Sequence, residues 1–268
     1  MTVTTRFAPS PTGRLHMGHA FSAITAHDHA RARGGRFLLR IEDIDGTRSR
    51  AEHVETIVAD LRWLGLAWDG DMVCQSARLD HYAAALERLR ALGLLYRCYC
   101  TRAEIAEAMS APHGAVPVYP GTCRAAPRRD APHCWRIDMA AAVARCGDLS
   151  WTDHGRRVAN QALAQGDVVL ARKDAPASYH LAVTIDDAAQ GVTDVVRGVD
   201  LFEATHVHRV LQALLGLPVP RWHHHALLTG ADGQRLAKRH GAPTLAALRE
   251  AGVDGAAVAA ALRAGRLP

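Results

Sequence analysis

Near its N-terminus the chain reads Arg6-Phe7-Ala8-Pro9-Ser10-Pro11-Thr12-Gly13 and then His16-Met17-Gly18-His19. Residues 3–8 indicate a short buried strand, and the prolines and glycine that follow indicate a loop. That loop delivers two histidines to the start of a helix. A helix N-terminus has unpaired N–H groups and partial positive charge, and imidazole N–H groups can donate to phosphate. The segment therefore predicts a phosphate site just after the first strand.

Strands and helices alternate in the sequence that follows. Residues 21–33 indicate a helix, residues 37–41 a second buried strand, and residues 80–92 a further helix. Ser49-Arg50-Ala51-Glu52 has the pattern of a capping box, which predicts a helix from there to about residue 64. Strand–helix order with short links favours an α/β fold, a doubly wound Rossmann-like domain around a parallel sheet.

The pattern changes between about residues 95 and 175, where short apolar pieces, scattered Pro and Gly, and most of the cysteines occur. We interpret this part as a small inserted subdomain. Regular order then returns, with predicted strands at 179–185, 192–197 and 226–228, a helix around 204–215, and two short helices at 244–251 and 256–264. We predict the first half of the Rossmann-like domain at residues 1–94, the insert at 95–178, the second half at 179–242, and a short helical tail at 243–268.

The composition is that of an ordinary globular protein. Of 268 residues, 49% are hydrophobic and 22% are charged, and no apolar run approaches the length of a membrane span. The N-terminus lacks a basic region followed by an apolar stretch, so we expect a cytoplasmic protein that does not bind a membrane. The formal net charge of +5 suits a polyanionic partner, although many basic proteins bind no nucleic acid.

The two histidines resemble the His-x-Gly-His signature of class I aminoacyl-tRNA synthetases, and the preceding eight residues resemble the glutamyl branch of that family. Gln234-Arg235-Leu236-Ala237-Lys238-Arg239 resembles the mobile Lys-Met-Ser-Lys loop of the same enzymes. The resemblance covers about residues 4–242. It departs at Arg235, where Lys is usual, and at Ala237, where Ser is usual. Arginine keeps the charge but not the geometry, and alanine loses a hydroxyl group.

The resemblance implies roles for individual residues. His16 and His19 would steady the charge that develops as the α-phosphate of ATP is attacked, and Lys238 would reach the phosphates during the reaction. The implied ATP-binding residues, with Mg²⁺ accompanying ATP, are His16, Gly18, His19, Arg235, Leu236 and Lys238. The implied glutamate-binding residues are Arg6, Phe7, Ala8, Pro9, Ser10, Glu42, Tyr179 and Arg197.

Arginine suits the substrate's side-chain carboxylate, and the resemblance assigns Glu42 to its ammonium group. Taken singly, Glu42 fits an ordinary surface carboxylate and Arg197 fits a surface ion pair. Several such groups near the ends of separate predicted strands favour a site, because open α/β sheets bind ligands at the carboxyl ends of their strands.

The chain has six cysteines, and without a secretion signal metal binding or simple burial is favoured over disulfides. Cys98 and Cys100 lie two apart on a predicted strand, and Tyr119 and Cys123 follow. The spacing leaves the matter open, because zinc knuckles more often show Cys-x-x-Cys and Tyr is a rare zinc ligand. The resemblance to glutamyl-queuosine relatives implies one structural Zn²⁺ at these four residues. The run at 223–225 cannot place three histidines on one strand face, and we assign it no role.

Only 26 residues follow Ala242, too few for the anticodon-binding domain with which a full glutamyl-tRNA synthetase continues. Together with the cysteines, this resembles the glutamyl-queuosine tRNA(Asp) synthetases. The resemblance implies a monomer that activates L-glutamate with ATP and transfers it to the queuosine base in the anticodon of tRNA(Asp). Two alternatives stay open: a truncated glutamyl-tRNA synthetase that charges a tRNA 3′ end, and a non-catalytic tRNA-binding paralogue.

Overall fold

The computed structural model describes residues 2–101, 103–105, 118–173, 175–229 and 243–267. The chain forms two compact units. The first unit consists of Met1–Ala77, Gly191–Leu201 and Pro220–Pro268, and the second of Arg78–Gln190 and Phe202–Val219. No helix in the described parts of the chain is long and apolar enough to cross a membrane. The predicted boundaries at residues 94, 178 and 242 stay predictions.

In chain order the strands and helices are β1 (Thr4–Phe7), α1 (Met17–Arg31), β2 (Arg36–Ile41), α2 (Ala51–Trp63), β3 (Val73–Cys74), α3 (Leu79–Ala91), β4 (Leu95–Cys98), β5 (Cys134–Ile137), α4 (Met139–Cys146), β6 (Ser150–Asp153), β7 (Arg156–Ala159), β8 (Val169–Ala171), α5 (Tyr179–Ala189), β9 (Asp194–Gly198), α6 (Ala204–Leu215), β10 (Arg221–His225), α7 (Leu245–Glu250) and α8 (Gly255–Arg263).

The first unit is built on parallel strands. β1 pairs with β2, β2 with β3, and β9 with β10, all in parallel. The Thr193 backbone N–H donates to the Thr4 carbonyl at 3.0 Å, and the Thr4 N–H donates to the Thr193 hydroxyl at 2.9 Å. These bonds set the start of β9 beside the start of β1. The groups β3-β2-β1 and β9-β10 thus lie next to each other, in agreement with the doubly wound arrangement that the sequence predicts.

The core of the first unit includes the end of the chain. Apolar residues of α1 and β2 pack in one cluster with Val258 and Leu262 of α8. Trp63 at the end of α2 donates its indole N–H to the Val253 carbonyl at 3.0 Å. A Cβ on Gly255 would clash with the Trp63 carbonyl, so only glycine allows α8 to begin this close to α2. The helical tail is therefore integral to the first unit.

The second unit combines short antiparallel strands with helices. β5 lies between β4 and β8, and β6 and β7 form a hairpin. Asp186 of α5 is fully buried and joins α5 to the beginning of α3. One of its carboxylate oxygens accepts from Arg78 at 2.7 Å and the other accepts from the Tyr82 hydroxyl at 2.7 Å. A buried carboxylate needs such partners, because leaving its charge unpaired would cost several kcal/mol.

Three local predictions were wrong. Residues 179–185 lie in the helix α5 and not in a strand, because a short apolar run cannot distinguish a strand from a buried helix. Arg221–His225 forms a strand and residues 226–228 do not, and the histidines of this strand alternate between the two faces of the sheet. The capping box at Ser49–Glu52 is absent, since Arg50 is the N-cap of α2 and its side chain makes no capping hydrogen bond.

Candidate active site and sulfur cluster

The two signature histidines cap the first helix. His16 is the N-cap of α1, and its Nδ1 accepts from the Gly18 N–H at 3.1 Å while the His19 Nδ1 accepts from the His16 N–H at 3.2 Å. The ring centroids are 3.9 Å apart. A neutral imidazole whose Nδ1 accepts a hydrogen bond carries its proton on Nε2. The cap therefore selects, in both rings, the tautomer that can donate Nε2–H to a phosphate oxygen at the helix N-terminus.

Gly18 keeps this pair in place. A Cβ at residue 18 would lie 3.0 Å from Cε1 and 3.2 Å from Nδ1 of His16. Both distances are tighter than ordinary van der Waals contact, so a side chain there would require the His16 ring to shift by a few tenths of an ångström. The glycine between the two histidines thus has a steric reason.

Backbone hydrogen bonds hold the β1–α1 loop (residues 8–16) at the carboxyl ends of β1 and β2. The Glu42 N–H donates to the Pro9 carbonyl at 3.0 Å, and the Arg50 N–H donates to the Pro11 carbonyl at 3.1 Å. At the far end of the loop, the Leu245 N–H donates to the Leu15 carbonyl at 2.9 Å. The structure thereby brings predicted residues of the loop next to Glu42, although they are more than 30 positions apart in sequence.

Glu42 lies beside a buried cation. Its Oε1 is 3.7 Å from a terminal nitrogen of Arg40, which is fully buried. The neighbouring Asp43 has a different task, because its two oxygens accept from the N–H and the hydroxyl of Ser76 at 2.8 Å and 2.6 Å. Of the two adjacent acidic residues, Asp43 thus fixes the chain after β3, while Glu42 is the candidate for a substrate ammonium group.

The predicted arginines are both buried in the first unit. Arg6 lies on β1 and is 5% exposed, and Arg197 lies on β9 and is 4% exposed. Phe7, between Arg6 and Ala8, turns into the hydrophobic core, so its predicted contact with glutamate would be through its backbone. Ala8 and Pro9 are largely covered and Ser10 is exposed. A buried guanidinium near the carboxyl end of a strand is a strong ligand for a carboxylate.

His224 is a candidate site residue to which the sequence analysis assigned no role. It pairs with Arg197 in the register of β9 and β10, and its Nε2 accepts from the Arg197 Nε at 3.2 Å. The Leu201 carbonyl accepts from a terminal nitrogen of Arg197 at 2.9 Å. Two acceptors thus orient this guanidinium. The sequence signal that could have identified it is the alternation of side chains along a strand. That alternation places His224 on the opposite face from its two histidine neighbours.

The remaining predicted residues lie elsewhere. Tyr179 begins α5 in the second unit, where its ring contacts those of His180 and His208, with centroids 5.6 Å and 5.5 Å away. Its role in binding glutamate stays a prediction. Arg235, Leu236 and Lys238 lie outside the described residues.

The sulfur cluster, formed by Cys98, Cys100 and Cys123, lies in the second unit around the Tyr119 hydroxyl. The sulfur atoms of Cys98 and Cys100 are 3.4 Å and 3.5 Å from the Tyr119 oxygen, and those of Cys100 and Cys123 are 3.4 Å apart. A tetrahedral metal with sulfur ligands at about 2.3 Å would place them roughly 3.8 Å apart, so a small adjustment is enough. The three cysteines can therefore hold a metal ion.

The protonation chemistry of the cluster fits that reading. Burial raises the pKa of the Cys123 thiol, but hydrogen bonds from the Tyr99 backbone and the Tyr119 hydroxyl outweigh burial and lower this pKa to about 7. Burial raises the pKa of Cys100 to about 11. Cys123 is thus a thiolate donor near neutral pH, and a bound cation would favour loss of the other protons.

A second group of potential ligands, His29, Asp194 and His223, lies at the amino end of β9. Arg221 donates to both oxygens of Asp194, at 3.0 Å and 2.8 Å. Burial works against ionisation, but the hydrogen bonds from Arg221, Thr193 and His223 outweigh it and hold the pKa of Asp194 well below its usual range. Because a metal would have to displace a guanidinium, this group is better described as an ion-pair network.

Comparisons with known proteins agree with the geometry. The family described as class I tRNA synthetases (E and Q), catalytic domain, matches residues 2–265. The chain is 51% identical to the "Glutamyl-Q tRNA(Asp) synthetase" of Rhodobacter capsulatus, covering 93% of this chain and 96% of that protein. It is 49% identical to the protein of the same name from Nocardia farcinica, covering 92% and 79% of the two chains.

A solved structure is also similar, the glutamate–tRNA synthetase of Elizabethkingia anophelis. It aligns with a TM-score of 0.76 and 26% sequence identity, over 90% of this chain and 53% of that one. The chain thus spans about half the length of that synthetase.

Proposed function

Because the chain belongs to the family of class I tRNA synthetase catalytic domains for glutamate and glutamine, we propose that it activates L-glutamate with ATP and transfers the glutamyl group to the queuosine base of tRNA(Asp). The observation that carries the proposal is the reciprocal cap of His16 and His19 beside the strand ends that hold Glu42. The choice of nucleic acid rests on relatives named for glutamyl-Q tRNA(Asp), which are 42–51% identical to the chain.

In the first step, an oxygen of the glutamate α-carboxylate attacks the α-phosphorus of ATP, and pyrophosphate leaves. The Nε2–H groups of His16 and His19 donate to the phosphate oxygens on which negative charge accumulates. ATP would enter with Mg²⁺, which neutralises phosphate charge. Positioning and charge stabilisation account for the catalysis, so no protein nucleophile is needed.

Glutamate is held by charges of both signs. Arg197, oriented by His224, is assigned to the side-chain carboxylate together with Arg6, and Glu42 to the ammonium group. The other assigned contacts are Phe7, Ala8, Pro9, Ser10 and Tyr179. A buried site that pairs charges in this way rejects amino acids without the second carboxylate, since they would leave a guanidinium unpaired.

The segment outside the described residues completes the ATP site in this proposal. Lys238 contacts the phosphates in the transition state, and Arg235 and Leu236 contribute to the same ATP-binding loop. In the second step, a hydroxyl group of the modified base attacks the mixed anhydride, which releases AMP. We further expect the protein to act in the cytoplasm as a monomer.

We assign one structural Zn²⁺ to Cys98, Cys100, Tyr119 and Cys123. When bound, the ion would cross-link the end of β4 to the turn at residues 119–123. Metal analysis of protein purified without a metal-affinity tag tests this assignment. We expect about one zinc per chain, and absence of zinc in active protein would refute it.

Two assays test the function. Glutamate-dependent exchange between ATP and labelled pyrophosphate, without tRNA, is expected, and its absence in folded protein would favour the non-catalytic alternative. Labelled glutamate is then offered to tRNA(Asp) with and without queuosine and to tRNA(Glu). Label on queuosine-containing tRNA(Asp) alone supports the proposal, whereas label at the 3′ end of tRNA(Glu) would favour a glutamyl-tRNA synthetase.

A further inference from the structure

The second unit carries a groove that the proposed chemistry does not use. One part of it, about 400 Å³ in volume, lies between the end of α3 and strands β4 and β5. A second part, about 200 Å³, continues towards Tyr99. Because both parts are lined by Leu95, Arg97, Arg128 and Trp135, they form one continuous surface, which we call the arginine groove.

Aromatic rings and guanidinium groups form a row that includes Arg97, Trp135 and Tyr99 of this groove, together with His133 and Arg129 next to it. Arg97 lies over the ring of Trp135 at 5.5 Å, and Trp135 meets His133 edge-on at 5.1 Å. His133 is 5.8 Å from Tyr99, and Arg129 lies over Tyr99 at 5.8 Å. Contacts of one cation with one ring are common at protein surfaces, but three neighbouring rings with a guanidinium at each end offer several flat and cationic groups to one ligand.

The groove is positively charged. Its acidic residue, Glu87, is already paired with Arg90. Within the described parts of the chain, neither Arg97 nor Arg128 has a carboxylate partner. Arginines that line a groove without carboxylate partners favour a ligand that supplies anionic oxygen atoms.

We propose that the arginine groove binds unpaired nucleotides of the RNA substrate, with bases stacked along the Trp135–Tyr99 row and phosphates paired with Arg97 and Arg128. The inference rests on the proposed function, because it identifies where the tRNA partner is held. Single-stranded RNA is the occupant whose chemistry matches both features, since it offers flat bases and phosphate charges together. An acidic peptide would satisfy the arginines but not the rings.

The test measures tRNA(Asp) binding and, separately, pyrophosphate exchange without tRNA. R97Q/R128Q is compared with R145Q/R156Q, which removes two exposed arginines of the same unit outside the groove. We expect R97Q/R128Q to weaken tRNA binding about tenfold or more and to lower the salt slope of log affinity by about 1.4, the value for two phosphate contacts. Exchange should stay within about twofold of wild type in both variants.

Substitutions of Trp135 test base stacking without changing the charge of the groove. Trp135→Leu should weaken RNA binding by about tenfold, while Trp135→Phe should stay close to wild type because a flat ring remains. R128Q alone, at an exposed position, gives a reading even if the double variant is poorly folded. Its expected loss of affinity is about threefold to tenfold.

Several results would overturn the inference. They are unchanged RNA affinity in R97Q/R128Q and R128Q, an equal loss in R145Q/R156Q, and competition by polyglutamate as effective as that by RNA. A different result would overturn the proposed function: wild-type protein that binds tRNA but transfers no glutamate to it. If wild type and R97Q/R128Q both transfer glutamate normally at limiting tRNA, the RNA-binding role of the arginine groove is refuted and the proposed function is not.

Discussion

The histidine cap and the sulfur cluster are both small polar sites, but the chain assembles them in opposite ways. His16, Gly18 and His19 are neighbours in sequence, and the first turn of the helix brings the ring centroids of the two histidines to 3.9 Å from each other. The cluster collects Cys98, Cys100 and Cys123 from two separated stretches, around one tyrosine hydroxyl. The first site is a property of a local conformation, whereas the second exists only when the second unit has folded.

His16 has two tasks, helix capping and donation to phosphate, and two substitutions separate them. His16→Asn keeps an N-cap acceptor but removes the Nε2–H donor. We expect kcat for pyrophosphate exchange to fall by about 10²–10³, as for loss of one transition-state donor. His16→Ala should lose a similar rate and also about 1 kcal/mol of folding free energy. Equal rates in His16→Asn and wild type would show that the histidine only caps the helix.

Lys238→Ala tests the segment that the resemblance assigns to the same phosphates. We expect kcat to fall about 10²-fold with glutamate affinity nearly unchanged, because the contact belongs to the transition state. Steady-state exchange kinetics with varied glutamate give both quantities. An equal loss of glutamate affinity would contradict the assignment.

Arg197→Ala tests a residue whose orientation, unlike the histidine cap, depends on two paired strands that are separated in sequence. Its removal should weaken glutamate binding by about 30-fold or more, the expected cost of truncating one partner of a buried charge pair. His224→Ala leaves the charge of Arg197 but removes one acceptor that orients it. We therefore expect glutamate binding to weaken by about threefold to tenfold. If glutamate affinity survives in Arg197→Ala, this arginine is structural.

The sulfur cluster can be tested without touching the histidine cap. Cys123→Ser should release zinc and increase proteolysis around residues 98–123, whereas Cys146→Ser, in the same unit but outside the cluster, should not. Exchange without tRNA should change less than about threefold, because the histidine cap belongs to the first unit. Loss of exchange together with zinc would show that the two sites are not independent.

The smallest expected effect is on the acid stability of the first unit. Asp194 has a pKa below that of the unfolded chain, so its contribution is present above about pH 4 and is lost as the pH falls. Asp194→Asn should therefore reduce the free energy of unfolding at pH 7 by about 1–3 kcal/mol. The difference from wild type should shrink on acidification, as measured by urea unfolding at several pH values. A constant difference would mean that its charge is not responsible.

The sequence predicted the parts of the fold that depend on local pattern. The order of β1, α1, β2 and α2 follows from apolar runs and loop residues, and the doubly wound sheet follows from their alternation. It failed at residues 179–185, where an apolar run is equally compatible with a helix. It also failed at Ser49–Glu52, where the side chains that suit a capping box do not form one.

The histidine site could therefore be predicted from sequence, because residues 6–19 form one contiguous segment. The local conformation of that segment alone brings strand, loop and histidines together. The pairing of Arg197 with His224, the contact of Glu42 with Pro9, and the row of rings from Trp135 to Tyr99 required the three-dimensional structure. These contacts arise when separate elements pack, and neither the spacing nor the type of the residues records which of them will meet.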